Sequence, residues 1–357
     1  MYNMDAINKK ILSRKIDQED TLLFALKHMD ANKVKLLLVF DRETFFGILT
    51  IGDIQRAIIK NTALTTPIKK ILSHDKVYAS PDSPISYIKD KIFEFKAECM
   101  PVIDEQNNLI NIYFWEDFFP GLQHWNNRQL ALPVIIMAGG KGERLKPLTN
   151  VIPKPLLPIK EKTILEIIMD KFEEVGCNHF FLSVNYKADI IKYYMQTLSK
   201  QYVISYIEES MPLGTIGSIS LLKGKVKSSF FVSNCDIIID QNYCDVYDYH
   251  RNNKNEITII AALKHYHIPY GVLDVRDEGV MVALNEKPEL TFMVNTGVYI
   301  LEPHLIEEIP VNTFYHITHL IEKVKDRKGK IGVFPVSEGS WHDIGNWKEY
   351  QTISLKT

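Results

Sequence analysis

The chain lacks most of the features that mark a secreted, membrane-bound or nucleic-acid-binding protein. It has only 4 cysteines in 357 residues. Cys99, Cys177, Cys235 and Cys244 form no CxxC pair, which excludes the common zinc and redox spacings. A chain of this size needs no covalent staples, so the four are expected to be reduced thiols. No apolar run approaches the ~18 residues that would cross a bilayer. Residues 1–10 are polar and mixed in charge, without the apolar stretch of a secretory signal, and a cytoplasmic location is expected. Net charge is almost absent: 42 basic against 44 acidic residues leave −2. That gives no electrostatic footprint for nucleic acid or an anionic membrane. A site for phosphorylated substrates needs only a local basic cluster, so neutrality does not argue against one.

What is present is ordinary globular material, 46% hydrophobic and 24% charged. The length predicts two or three domains. Residues 1–122 contain a weak internal repeat, with units at about 8–62 and 66–120. Ile11-Leu12-Ser13 recurs as Ile71-Leu72-Ser73. Amphipathic helices are expected over 21–29 and 85–95, and apolar strands ending in an acid over 35–41 and 100–104. GILTIGD at 47–53 aligns with NIYFWED at 111–117. Neither unit of about 60 residues hides its apolar face well alone, so a face-to-face pair is expected. Residues 123–132 read as a polar, turn-forming linker.

From residue 133 the pattern changes. Strands are expected over 134–137, 179–184, 202–207, 230–233 and 257–263, with helices over 163–175, 188–195 and 215–222. This alternation predicts an α/β domain, 133–357, with a Rossmann-like, mostly parallel sheet covered on both faces. Ligands on such sheets bind at the carboxyl ends of strands, near a switch point.

The strongest motif is AGGKGERLKPLT at 138–149, directly after the first of these strands. Gly139, Gly140 and Gly142 allow a tight turn and close approach to a phosphate. Arg144 offers a planar fork to phosphate oxygens. The segment is neither a P-loop, which needs GK[ST], nor a dinucleotide GxGxxG. Pro153, Pro155 and Pro158 then fix the backbone around Lys154, making it a preorganised phosphate clamp.

GGKGERLKPLT followed by IPKPLLPI resembles the signature of the sugar-phosphate nucleotidyltransferases. That family includes glucose-1-phosphate thymidylyltransferases and mannose-1-phosphate guanylyltransferases. The resemblance covers roughly 133–350 and implies a GT-A-like fold, a nucleoside triphosphate and a sugar 1-phosphate as substrates, and Mg²⁺ as cofactor. Arg144, Lys154 and Asp236 are implied as the catalytic group. Ala138, Gly139, Gly140, Gly142 and Glu143 are implied around the nucleotide. Glu143 stands where many members have threonine, and a backbone N–H is expected to do the binding there. In LGTIG at 213–217, Gly214 and Thr215 are expected against the base, with the two glycines leaving room for a flat ligand. Glu208 or Glu209 would accept from the N1–H and N2–H donors of guanine, which favours GTP.

Asp236, in SNCD, and Asp343, in WHDIG, are implied as the metal ligands. Cys235, where glycine is common, is expected to pack rather than react. Tyr270, Gly271, Glu286, Lys287, Asn295 and Thr296 are implied around the sugar phosphate. His316 and His319 are expected on a helix, without a metal.

The N-terminal repeat resembles a tandem pair of CBS (cystathionine-β-synthase) domains, which are α+β. The resemblance implies that Thr50 contacts the phosphate and Asp53 the ribose of an adenine nucleotide. It also implies a homo-oligomer. In the second copy Phe114 replaces Thr50, while Asp117 is kept. A CBS pair fused to this transferase type resembles the glucosamine-1-phosphate guanylyltransferases of legionaminic acid synthesis. Mannose- or heptose-1-phosphate guanylyltransferase and thymidylyltransferase are alternatives. A catalytically inactive nucleotide-sugar-sensing subunit is an alternative of another class, against which the retained Arg144, Lys154, Asp236 and Asp343 argue.

Overall fold

A computed structural model describes residues 10–73, 77–120, 129–200 and 202–355. The chain divides into two compact units, Met1–Asn127 and Arg128–Thr357. Of the stretch expected as linker, 123–128 lie outside the described residues. Residues 129–132 belong to the second unit: Leu130 N–H donates to Val175 O at 2.8 Å, and Leu132 is buried.

The first unit opens with β1 (Lys15–Asp17), α1 (Leu22–Asn32), β2 (Leu36–Asp41), β3 (Thr44–Thr50) and α2 (Ile51–Ile59). β1 pairs parallel with β2, and β3 antiparallel with it. The second half repeats the plan: α3 (Ile85–Phe95), β4 (Cys99–Ile103), β5 (Leu109–Phe114) and the short α4 (Trp115–Phe118). Ala79 bridges Val102 in parallel, and β5 runs antiparallel to β4. Sheets this small are marginal alone. Leu36, Leu38, Phe40 and Phe45 of the first half share one apolar cluster with Cys99, Ile112 and Phe114 of the second.

The second unit is built on β6 (Val134–Met137), the hairpin β7 (Pro158–Ile159) and β8 (Lys162–Thr163), α5 (Ile164–Glu173), β9 (His179–Val184), α6 (Ala188–Thr197) and β10 (Val203–Glu208). It continues with β11 (Phe230–Asn234), β12 (Ile237–Ile239), α7 (Tyr243–Asn252), β13 (Ile257–His267), β14 (Val272–Val275), β15 (Met281–Asn285) and β16 (Glu289–Leu301). It ends with α8 (Ile317–Asp326), β17 (Ile331–Val336), β18 (Trp341–Asp343) and α9 (Trp347–Leu355). Seven strands form one sheet in the order β10-β9-β6-β11-β16-β13-β17. Only β16 runs antiparallel to its neighbours.

Side chains alternate across a strand, and β6 feeds both layers. Val134 and Ile136 join the core under α5, with Ile164, Ile168 and Phe172. Ile135 joins the other core, with Ile317, Leu320 and Val324 of α8. The chain runs outward from β6 to β9 and β10, then returns to β11 on the other side of β6. This reversal is the switch point, and the motifs gather at its carboxyl end. The helix expected over 215–222 is a 3-10 turn, Gly217–Leu222, because its first residues pack on a distant segment described below. No helix among the described residues is long and apolar enough to cross a membrane.

Candidate active site

The glycine-rich loop leaves β6 at Ala138, whose N–H donates to Ser183 O at 2.8 Å. Gly142 has φ +66, and a Cβ there would stand 2.8 Å from Thr149 Cγ2 and 3.1 Å from Lys154 Cβ. Only glycine meets both demands. The Thr149 hydroxyl donates to Gly142 O at 2.9 Å, so the turn is fixed from both sides. Beside Gly140 there is open space. Glu143 begins the 3-10 turn Glu143–Leu145, and its exposed side chain lies 3.9 Å from Lys146 Nζ.

Pro153 leads into a second 3-10 turn, Lys154–Leu156. This frame directs the Lys154 ammonium onto the Asp236 carboxylate. The pair is nearly enclosed, with side chains 10% and 13% exposed. Asp236 follows β11, and Asp343 ends β18. They lie more than 100 residues apart in the chain and meet through strand pairing: Ile237 faces Asp343 across the β12–β18 ladder, and Ile344 N–H donates to Asp236 O at 2.8 Å. A Cβ on Gly345 would lie 2.6 Å from Asp343 Oδ1 and 2.8 Å from Arg144 Nη2. Arg144, Lys154, Asp236 and Asp343 therefore share one corner with the loop. Burial pushes the Cys235 thiol up to about 12, keeping it protonated at neutral pH.

A model of the nucleotidyl transferase family matches residues 133–357. The chain belongs to the nucleotidyl transferase family. A CBS domain model matches residues 7–60. The mannose-1-phosphate guanylyltransferase catalytic subunit beta of Drosophila pseudoobscura pseudoobscura is 30% identical over 225 residues, 61% of this chain and 60% of that relative. The mannose-1-phosphate guanyltransferase beta-B of Xenopus laevis is 31% identical over 229 residues, 62% of this chain and 63% of its own length. The chain thus spans about 60% of the length of such relatives. Among solved structures, HddC from Yersinia pseudotuberculosis aligns with a TM-score of 0.50 at 28% identity, covering 63% of this chain and 99% of that one. The same protein complexed with GMP-PN aligns at 27% identity, also with a TM-score of 0.50.

In this nucleotidyl transferase the two acids before the LGTIG motif differ sharply. Glu208 is exposed, with Lys192 at 2.6 Å. Glu209 is half-buried and held at both oxygens. Oε1 accepts from Ser183 Oγ at 2.5 Å, and Oε2 from Leu213 N–H at 3.0 Å. A Cβ on Gly139 would lie 3.2 Å from Glu209 Oε1, so this carboxylate borders the glycine-rich loop.

The Cβ positions of Gly214 and Gly217 are taken up by protein backbone. A Cβ on Gly214 would lie 2.6 Å from Tyr315 O, and one on Gly217 2.6 Å from Thr313 O. The Thr215 hydroxyl accepts from Ile317 N–H at 2.9 Å, at the start of α8. His316 caps that helix and His319 Nδ1 accepts from His316 N–H at 3.3 Å.

The residues expected around the sugar phosphate fall into two groups. Tyr270, Gly271, Glu286 and Lys287 form the neck of the β14–β15 hairpin, where Lys287 N–H donates to Tyr270 O at 3.2 Å. Tyr270 is 74% exposed. The space beside Gly271 is taken by Glu286, whose Oε2 lies 2.9 Å from the position of a Cβ. Asn295 and Thr296 sit where β13 and β16 slip register. Asn295 Oδ1 accepts from Gly297 N–H at 3.1 Å. Thr296 turns inward: it is 2% exposed and donates to Ile260 O at 2.7 Å. Its hydroxyl is engaged in holding the bulge.

Thr50 and Asp53 are spent on each other. Asp53 Oδ2 accepts from Thr50 N–H at 2.9 Å and from its hydroxyl at 2.7 Å, while Thr50 Oγ1 accepts from Asp53 N–H at 3.2 Å. This is a capping box at the start of α2. Arg56 pairs with the other Asp53 oxygen. A cavity of about 420 Å³ opens beside them, lined by Asp53, Arg56, Lys60, Thr62, Lys70 and Ser73.

Proposed function

We propose that the second unit transfers GMP from GTP to a sugar 1-phosphate, with release of pyrophosphate. The observation that carries this reading is the gathering of the glycine loop, Arg144, Lys154, Asp236 and Asp343 at one end of the β6–β11 switch point. A sugar phosphate is itself a nucleophile, so no general base is required. One of its oxygens bonds to the α-phosphorus while the bond to the β-phosphate oxygen breaks. The obstacle is the repulsion of two polyanions that must stand in line. Arg144, Lys154 and Lys287 offset that repulsion and hold the geometry.

Asp236 and Asp343 are hard oxygen donors of the kind Mg²⁺ takes, and two carboxylates suffice where phosphates and water complete the shell. Among the described residues no group of three or more His, Cys, Asp or Glu could hold a metal, so the substrate phosphates would be part of any such site. The Lys154 ammonium against Asp236 supports the reading that this corner accepts positive charge. When bound, the ion neutralises phosphate charge.

Guanine is favoured because Glu209 is a fixed carboxylate beside the loop, and a carboxylate suits the paired N1–H and N2–H donors of guanine. The guanylyl relatives and the HddC complex with GMP-PN support the same base. The fusion to a CBS domain favours glucosamine 1-phosphate as acceptor. The relatives named for mannose 1-phosphate favour that sugar as a second reading. Pyrophosphate release in a matrix of four NTPs against these and other sugar 1-phosphates decides both questions. Preference for dTTP or UTP overturns the guanylyl assignment, and no release from any pair favours a non-catalytic sensor. Glu209→Gln is expected to lower kcat/KM for GTP by about 10- to 100-fold, the cost of one guanine donor left unpaired.

The first unit is proposed to bind an adenine nucleotide at the cavity beside Asp53. Arg56, Lys60 and Lys70 would take the phosphates, since the Thr50 hydroxyl is engaged in the capping box. A ligand that binds only the folded state stabilises it by mass action. AMP or ATP should raise the melting temperature of the full chain, and Lys60→Ala combined with Lys70→Ala should remove that shift. A wild-type chain that is unmoved by millimolar AMP and ATP leaves the unit a structural module.

A further inference from the structure

Glu209 is not held by its own strand alone. Ser183, on β9, is fully buried and donates to Glu209 Oε1 at 2.5 Å. Ser218, in the 3-10 turn Gly217–Leu222, is also fully buried, and its Oγ stands 2.7 Å from Ser183 Oγ. The Ser183 hydroxyl has one proton, and the charged acceptor is the stronger claimant. The other acceptor within reach of the Ser218 hydroxyl is the weak thioether Met137 Sδ at 4.0 Å. With the Ser183 proton on the carboxylate, Ser218 donates to Ser183 instead, and the chain of donation runs Ser218 to Ser183 to Glu209. The backbone is pinned as well: Glu209 N–H donates to Val184 O at 3.0 Å, and Asn185 Nδ2 donates to Glu209 O at 2.7 Å.

Two buried hydroxyls in series beneath a half-buried carboxylate ask for a reason. In an apolar layer each is costly unless paired, and alanine would pack there without that demand. With Ser183 on Oε1 and Leu213 N–H on Oε2, the carboxylate cannot rotate. A carboxylate has about four lone-pair sites, so each oxygen keeps capacity for one more donor.

We propose that Ser183 and Ser218 are positioning residues that set base specificity, by fixing the carboxylate plane of Glu209 for a purine that presents two adjacent N–H donors. This rests on the reading of Glu209 as the base-selecting residue. Only a carboxylate held in plane rewards the second donor, so the predicted signature lies in discrimination rather than in turnover.

The probe is the ratio of kcat/KM for GTP to that for ITP, which lacks the exocyclic amine, measured on the full chain with its preferred sugar 1-phosphate. Wild type should favour GTP, and Glu209→Gln should erase the preference. Ser183→Ala should cut the ratio by about 10-fold through KM for GTP, the usual effect of losing a hydrogen bond to a charged group. KM for the sugar phosphate should not move. Ser183→Thr, which keeps the hydroxyl, should restore the ratio, and Ser218→Ala should lower it less than Ser183→Ala. If Ser183→Ala does not fold, Ser218→Ala reads the same relay from its far end, and an unchanged ratio there overturns the proposal. A normal ratio in folded Ser183→Ala beside a lost one in Glu209→Gln also overturns it, while leaving the base reading intact. If wild type does not discriminate GTP from ITP and Glu209→Gln changes nothing, the base reading falls and the proposal with it.

Discussion

Asp236→Asn and Asp343→Asn should each lower kcat by about 1,000-fold or more, equal to roughly 4 kcal/mol of lost transition-state stabilisation. Each change removes a formal charge from a hard oxygen donor while keeping its shape. The effect should be largest at limiting Mg²⁺ and should shrink, without vanishing, as Mg²⁺ rises. The two variants differ in what else they disturb. Asp343 Oδ1 accepts from Gly345 N–H at 2.8 Å, a bond that an amide oxygen can also accept. Asp343→Asn should therefore fold normally and report the metal role cleanly. Asp236→Asn leaves the Lys154 ammonium without its partner, so it should also lose stability. Near-normal turnover of either variant at limiting Mg²⁺ removes that residue from the metal site.

The sequence made some of this corner readable and hid the rest, and the division follows contact distance along the chain. The loop at 138–149 is local. Its glycines, its fork-bearing arginine and the proline-framed Lys154 lie within one short stretch, so a phosphate-binding reading could be made from neighbouring residues, and the family resemblance supplied their catalytic roles. The strand-helix alternation from 133 onward likewise gave the α/β sheet, and the paired plan of the first unit followed from the motifs at 47–53 and 111–117. What could not be read depends on segments that meet only in the fold. Gly214 and Gly217 also make room for the backbone of 313–315, about a hundred positions later, a demand that no local pattern shows. Thr296 looked like a sugar contact, but its hydroxyl closes a bulge between β13 and β16. Ser183 was hidden inside an apolar strand, where a single serine reads as filler. It gains meaning only when parallel pairing sets β10, and so Glu209, beside β9. Glu208 and Glu209 could not be separated by residue type. One faces solvent with Lys192, and the other is gripped at both oxygens.

Lys154→Ala should separate stability from catalysis in a way that no surface lysine could. The ammonium is the direct partner of Asp236 in a pair that water barely reaches. Removing one member of such a pair leaves the other charge desolvated and uncompensated, at a cost of about 3–5 kcal/mol. Lys154→Ala should therefore melt well below wild type. It should also lose catalysis by about 100- to 1,000-fold, the range for removing one preorganised donor from a developing charge. The double variant Lys154→Ala/Asp236→Asn removes the orphaned charge, so its melting temperature should rise back toward that of wild type. Its turnover should not recover, because both the clamp and the carboxylate are then missing. The stability terms are non-additive because the residues touch. If the double variant is no more stable than Lys154→Ala, the lysine does not neutralise Asp236. If Lys154→Ala retains wild-type kcat, the lysine is a structural counter-ion, and the burden of offsetting the two polyanions falls on Arg144 and Lys287.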